Sequence, residues 1–334
     1  MSGLDHSRRT SQDQLCPVRR HALVADGSVK MKLRVSLAAA LLVLTPVAAL
    51  AQQTVDYAAS RARIPAAATA YAAGLQKYGA KDFAGALQDF GRAAAADPTD
   101  AESLFNVAVI SNEASQFQQA LEAFQRVLNV PEKRLSDDLW TGARAGVLSV
   151  GTHYMQVADY AAAASTFRSM TQSPPKDRVV LFNLALSLYR QEKWAELDSV
   201  ASQLTALDPL NENALVMLSQ ARRSQAGLLD KDSAAGKAMA AKAISAMEAV
   251  ADAPFFLDVL QAGEKDAGFE VKAEARWNHP KRSEKTLHFT FYGRRGAVGT
   301  SRIIVGVPKT GNVEPFTLKP VVKGKVASFS YRVE

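Results

Sequence analysis

A small residue that returns at the same place in four successive stretches constrains this chain more than any other feature. Gly74, Ala108, Gly151 and Ala185 occupy one column when the stretches are laid against one another. Two antiparallel helices approach closely only where the side chain between them is this small. Nine residues further on, Phe83, Phe117, Tyr160 and Trp194 form a second column, read as the aromatic that opens each second helix. Three beyond these stand Ala86, Ala120, Ala163 and Leu197, and four further on Phe90, Phe124, Phe167 and Ala201. The last unit exchanges large and small at two positions one turn apart, which roughly conserves volume. Pro98, Pro131, Pro175 and Pro209 close the units.

The small residues recur at intervals of 34, 43 and 34. About nine residues are therefore inserted around Leu135 to Ala143, which predicts a lengthened helix starting at Ser136 and carrying Trp140. The columns resemble the tetratricopeptide repeat (TPR), a helix-turn-helix of about 34 residues with the pattern W-x2-L-G-x2-Y, A-x3-F, P. Two departures stand out: Ala70, Leu104, Val147 and Leu181 replace the opening Trp, and Pro131 comes one residue early. The resemblance implies a right-handed α-helical solenoid over residues 67–225, with repeats at about 67–100, 101–134, 144–177 and 178–211. Asn211 to Arg223, with Leu215 and Leu218, repeats the first-helix pattern once more. Residues 52–66 read as a polar lead-in, with Pro65 suited to a first helical turn. Thr99-Asp100-Ala101-Glu102 has capping-box spacing. The Ala- and Lys-rich residues 226–253, with Ile244, Met247 and Val250 as one apolar stripe, read as a cap ending the stack.

From Pro254 the apolar period drops to two. Phe269, Val271, Ala273, Ala275 and Trp277 alternate with polar residues, as do Leu287, Phe289 and Phe291, then Ile303, Val305 and Val307, then Ala327, Phe329, Tyr331 and Val333. Residues 254–334 are expected to form a small antiparallel β-sandwich of six or seven strands. Phe289-Thr290-Phe291-Tyr292-Gly293, with the Gly-turn, Val-rich strand and Pro315-Phe316 that follow, resembles the FxLYD type of immunoglobulin-like domain. Phe291 and Gly293 stand where that family has Leu and Asp.

The formal net charge of +7 is unevenly spread. Residues 1–51 hold seven Lys/Arg and three Asp/Glu, residues 52–253 hold 19 and 22, and residues 254–334 hold fourteen and eight. This does not suggest a nucleic-acid binder, which clusters basic residues on one face. The halves attract each other, or the basic sandwich faces an anionic envelope surface, or its charge is a solvated face. Lys30 to Arg34 is a cationic head, Val35 to Leu44 an apolar run, and Thr45-Pro46 precedes Ala49-Leu50-Ala51. This is secretory-signal architecture, and ten apolar residues are too few to span a bilayer. Residues 1–51 are read as leader and signal peptide cleaved after Ala51, with Met31 the expected start. A bacterial periplasmic or secreted protein is expected, not an integral membrane protein after cleavage. The sole cysteine, Cys16, falls in the leader, so the mature chain is expected to have no thiol chemistry.

Catalytic constellations are scarce. His153, His279 and His288 lie in different segments without metal-ligand spacing, and neither a G-x-S-x-G elbow nor an H-E-x-x-H pair occurs. Gly293 to Gly299 joins two strands, whereas a phosphate cradle needs a strand followed by a helix. Asp230-Lys231-Asp232-Ser233 lacks the closing glutamate of a calcium loop, and Ser233 reads as an N-cap. No enzymatic activity, cofactor or metal is expected. By the resemblance, first helices line a concave groove, which implies Tyr71, Tyr78, Phe105, Asn112, Phe182 and Tyr189 as the residues facing it. Asn106 and Asn183 fall where family members use an amide to bond a bound peptide's backbone, a task suited to a group that both donates and accepts. Basic pairs that clamp a terminal carboxylate are missing, since Ala72 and Ser149 take the equivalent places. The implied partner is a protein or peptide offering an extended or helical apolar segment, with an envelope-assembly factor touching cell wall or membrane through the sandwich as the alternative. Such aromatics are equally at home in a core.

Overall fold

The computed structural model describes residues 55–265, 268–278 and 282–334. The leader, Cys16 and His279 lie outside these. Among the described residues eleven α-helices precede six strands: α1 (Tyr57–Ala62), α2 (Pro65–Gly79), α3 (Phe83–Ala96), α4 (Ala101–Glu113), α5 (Phe117–Leu128), α6 (Asp137–Gln156), α7 (Tyr160–Thr171), α8 (Arg178–Arg190), α9 (Trp194–Leu207), α10 (Glu212–Gly227) and α11 (Ala234–Ala251). The strands are β1 (Phe255–Lys265), β2 (Gly268–Trp277), β3 (Lys285–Gly293), β4 (Gly296–Val305), β5 (Val313–Leu318) and β6 (Ser328–Val333).

Helices α2 to α9 form four hairpins, and each helix packs on the next in chain order. The four aromatics of the second column do open α3, α5, α7 and α9. Two residues before each, Lys81, Ser115, Ala158 and Glu192 adopt φ of 63°, 61°, 60° and 56°. None is glycine, so each turn carries left-handed backbone at a steric cost. Asp82, Asp159, Asp177 and Asn211 then cap the following helices through side-chain oxygens. Thr99-Asp100-Ala101-Glu102 does not form a capping box. Thr99 turns its hydroxyl and backbone N–H onto Asp97 Oδ1 (2.6 and 3.0 Å), while Asp100 takes up the Arg61 guanidinium.

Ring-over-glycine contacts set the helix separations. A Cβ on Gly74 would stand 2.9 Å from the Phe90 ring, and one on Gly151 2.5 Å from that of Phe167. Gly146 makes the corresponding contact between units: a Cβ there would meet Phe124 of the preceding hairpin at 2.3 Å. The nine extra residues lengthen α6 to twenty, capped by Ser136.

At the end of the stack the apolar stripe of α11 divides, with Val250 packed against Leu215, Ala253 and Phe256 and the rest turned to solvent. Gly236, Ala243 and Ala246 are its buried residues, whereas Ile244 and Met247 stay 57% and 46% exposed. Ser233 caps this helix by accepting from the Gly236 N–H at 3.0 Å. Only a face without bulk lies this close to a neighbouring backbone: a Cβ on Gly236 would be 2.0 Å from the Asp230 carbonyl oxygen.

The strands form two three-stranded antiparallel sheets, β1-β2-β5 and β4-β3-β6. Their inner faces share one core that includes Leu257, Val271, Phe289, Phe291 and Tyr331. The solenoid contributes Leu210 to this core, and Leu257 N–H bonds the Leu210 carbonyl at 2.9 Å. Beside it Asp208 is wholly buried. It accepts from Arg178 (2.6 and 2.9 Å), Asn211 (3.1 Å) and the Tyr331 hydroxyl (2.6 Å). Burial and the Asp208 charge hold the Tyr331 hydroxyl pKa well above its ordinary value, so it remains a donor.

Gly146→Ala is expected to lower stability by about 1–3 kcal/mol despite alanine's better helix propensity. Ala158→Gly, which relieves left-handed backbone, is expected to raise it by about 1 kcal/mol. Urea unfolding curves of the two variants beside the parent check both signs.

Candidate binding groove

One helix of every hairpin faces inward. The first helices pack on their counterparts in neighbouring units (α4 with α6, α6 with α8, α8 with α10), while the second helices meet through side-chain bonds such as Gln125 with Ser169 (3.1 Å) and Arg168 with Glu196 (2.8 Å). The stack therefore packs more closely on the side of the first helices, and that side is the candidate groove. The pair α2 and α4 is the exception, because these two stand apart. A shallow hollow opens between them, lined by Leu75, Tyr78, Phe90, Phe105, Asn106, Val109 and Ile110.

The hollow encloses only about 10 Å³, so a ligand would lie across it instead of inside it. Among the anticipated residues it unites Tyr78, Phe105 and Asn106. Phe105 is only 7% exposed and meets the Phe124 ring edge-on with centroids 5.9 Å apart. It is the floor of the hollow, not a free anchor. Tyr78 and Tyr189 are also partly spent, packing edge-on against Phe83 (5.4 Å) and Trp194 (5.8 Å) at the hairpin turns. Phe182 is half-buried against the solenoid core. Asn112 and Asn183 sit half-buried on α4 and α8, apart from the hollow's lining, and the Asn112 Oδ1 is buried without a donor.

Tyr71 is covered by the chain itself. Residues 57–62, anticipated as part of a polar lead-in, form α1, and the Arg61 guanidinium lies 3.6 Å above the Tyr71 ring. Arg61 bonds Asp100 at 3.0 and 3.2 Å and pairs with Glu102 at 2.8 Å. The Tyr71 hydroxyl donates to Glu102 at 3.3 Å. Burial, then the Glu102 charge, push this hydroxyl's pKa far up, so it is protonated and can donate. At the other end of the same helices, burial raises the Glu113 carboxyl pKa, and burial together with Glu113 raises that of Tyr78.

The two described histidines stand in different settings. His153 stacks on Phe117 at 3.7 Å, and His288 Nε2 lies 2.9 Å from Glu334 on the β domain. Arg294 and Arg295 form the hairpin turn between β3, which ends at Gly293, and β4, which starts at Gly296 and runs through Gly299. Arg61 is the residue that sequence reasoning missed; its signal is a cation, one of two with Arg63, just ahead of an aromatic helix face.

No family model matches the sequence, and no curated protein matches it. Among solved structures the chain is similar to the MamA protein at 14% identity, covering 56% of this chain and 91% of that one, with a TM-score of 0.32. It is similar to YrrB, described as a TPR protein with an unusual peptide-binding site, at 14% identity over 59% and 94% with a TM-score of 0.32. A third, a thermophilic TPR protein of Thermus thermophilus, is matched at 14% identity over 56% and 91% with a TM-score of 0.24. Likenesses this weak carry no argument, and the groove stands on the chain's own geometry.

Arg61→Ala is expected to cost about 3 kcal/mol, since it strands the buried Asp100 carboxylate without its cation. It also uncovers Tyr71. Chemical unfolding checks the loss, and faster hydrogen exchange over residues 57–62 checks its location.

Proposed function

We propose that this chain is an exported, non-enzymatic interaction scaffold whose inner helix face holds a partner protein through one extended or helical apolar segment. The observation that carries the reading is the hollow between α2 and α4. There Leu75 is 36% exposed and Val109 half-exposed over an aromatic floor, in a stack whose later inner helices are in contact. Apolar anchors entering such a patch supply most of the energy of a small interface. The Asn106 and Asn183 amides are suited to bonding the ligand's backbone. Export to the periplasm or beyond rests on the cationic head, apolar run and Ala-Leu-Ala site before Gln52.

The alternative, an envelope-assembly factor that meets anionic cell-wall or membrane components through a basic sandwich, has less to stand on. Arg276 pairs with Glu212 (2.7 Å), Arg295 with Glu132 (2.5 Å) and Lys325 with Asp138 (3.5 Å), so part of the basic excess faces the chain's own solenoid.

Recovery of partners from an envelope extract tests the groove. Leu75→Asp/Val109→Asp introduces charge at one exposed and one half-buried position without replacing the aromatic floor, and is expected to lose at least one partner that the parent retains by about tenfold. Equal recovery of every partner by the two proteins overturns the groove reading.

A further inference from the structure

The last helix of a solenoid ordinarily turns a polar outer face to water. On α11 that face is apolar at its centre. Ile244 and Met247 are 57% and 46% exposed, and Ala240, Ala241 and Ala251 beside them are exposed as well. At about 100° per residue these positions share one face with Lys237 and Glu248, turned away from the buried Gly236, Ala243 and Ala246.

The charges on this face run against the helix's own dipole. Lys237 is the fourth residue of α11 and Glu248 the fourth from its end, and the C-cap is Asp252. No acidic residue stands in the first turn and no basic one in the last, whereas the opposite order stabilises a helix standing alone. Glu248 and Asp252 are also like charges four residues apart, which repel. All three are exposed, and among the described residues neither Lys237 nor Glu248 makes an ion pair.

A second copy of α11 running antiparallel answers both features. Its N-terminal end then lies beside the C-terminal end of the first, and the charge order that is unfavourable within one helix becomes favourable between two. Positions 237 and 248, and positions 241 and 244, share one midpoint, which is also the midpoint of the helix. With a twofold axis there, the helices overlap along their whole length. Lys237 comes level with the partner's Glu248, and Ile244 with the partner's Ala241, so the bulky side chain of each copy enters the space that alanine leaves on the other.

We infer that this face is a homodimer interface in which two chains pair through antiparallel α11 helices. Eighteen residues make a seam about 27 Å long. That is small beside a standard interface, so the dimer is expected to dissociate with a Kd on the order of 10 μM. The pairing is independent of the proposed groove. A dimer carries two copies of the α2–α4 hollow, which raises avidity for a partner that presents its docking segment twice.

Sedimentation equilibrium of the purified protein between about 1 and 200 μM tests this, with the parent expected to pass from monomer to dimer. Ile244→Asp is expected to stay monomeric with an unchanged circular dichroism spectrum. Lys237→Glu and Glu248→Lys each place like charges across the seam, and each is expected to weaken the dimer about tenfold at low salt. Mixing the two single variants is expected to restore association, because each supplies the charge that the other has lost. A parent that is monomeric throughout, a dimer indifferent to Ile244→Asp, or a mixture that associates no better than its components overturns the proposal. A monomeric parent that binds anionic vesicles or a different protein through Ile244 gives the face to that occupant and overturns the second copy.

Discussion

Everything in the solenoid depends on an aromatic ring lying flat over a residue with no room for a larger one. Phe90 on Gly74, Phe167 on Gly151 and, across a unit boundary, Phe124 on Gly146 bring helix axes closer than any pair of larger side chains allows. All three rings are buried. Each contributes on the order of 1.5–3 kcal/mol by leaving water. From the second unit onward the first helices pack on one another, α4 on α6, α6 on α8 and α8 on α10, which tilts each hairpin against the last.

The break in the period has a structural use. The insertion around Leu135 to Ala143, with the short stretch before it, lies where α1 and the β domain reach the solenoid. From one side the Ser136 N–H donates to the Tyr57 hydroxyl at 2.8 Å. From the other, the β3–β4 turn sends Arg294 to the Leu135 carbonyl at 2.7 Å and Arg295 to Glu132. A strict 34-residue repeat has no loop for these contacts. Further along the same edge, the Asp208 network is satisfied only when Tyr331 and Arg178 are both in place. Removing either partner strands a buried charge or hydroxyl, so the network favours one arrangement of β domain on solenoid over its neighbours.

Legibility followed the demand each position makes on residue size. A column of Gly and Ala beside a column of Phe can be read because no other residues fit, and alternation from Phe269 onward can be read because one strand face is buried. The left-handed turns at Lys81, Ser115, Ala158 and Glu192 could not, since tertiary packing imposes that backbone on residues that do not prefer it. Ile244 and Met247 mislead because an apolar stripe ordinarily faces inward. In α11 the requirement for close approach selects alanine and glycine for the buried side instead. The anticipated groove residues were not legible as free anchors, because Phe105, Tyr78 and Tyr189 spend part of their surfaces on ring contacts within the chain that only coordinates resolve.

The inner helix face is uneven along its length, and under the proposed reading that unevenness sets where a partner docks. The inner position held by Leu75 in the first unit is held by Leu186 in the fourth, where it falls to 8% exposed. Met155, which takes the place of Tyr78 in the third unit, is likewise buried. The contacts of α6 with α8 and of α8 with α10 close this half, and the β domain is fastened along its edge through Asp208, Glu212 and Glu132. Between α2 and α4 the surface stays open over Leu75, Tyr78 and Val109. A segment docking there meets a site whose rear half is already ordered, so less of its binding energy is spent on ordering the receptor. The rigid half thus serves the open half by holding it in shape, which explains why so much of the chain lies outside the surface that a partner would touch.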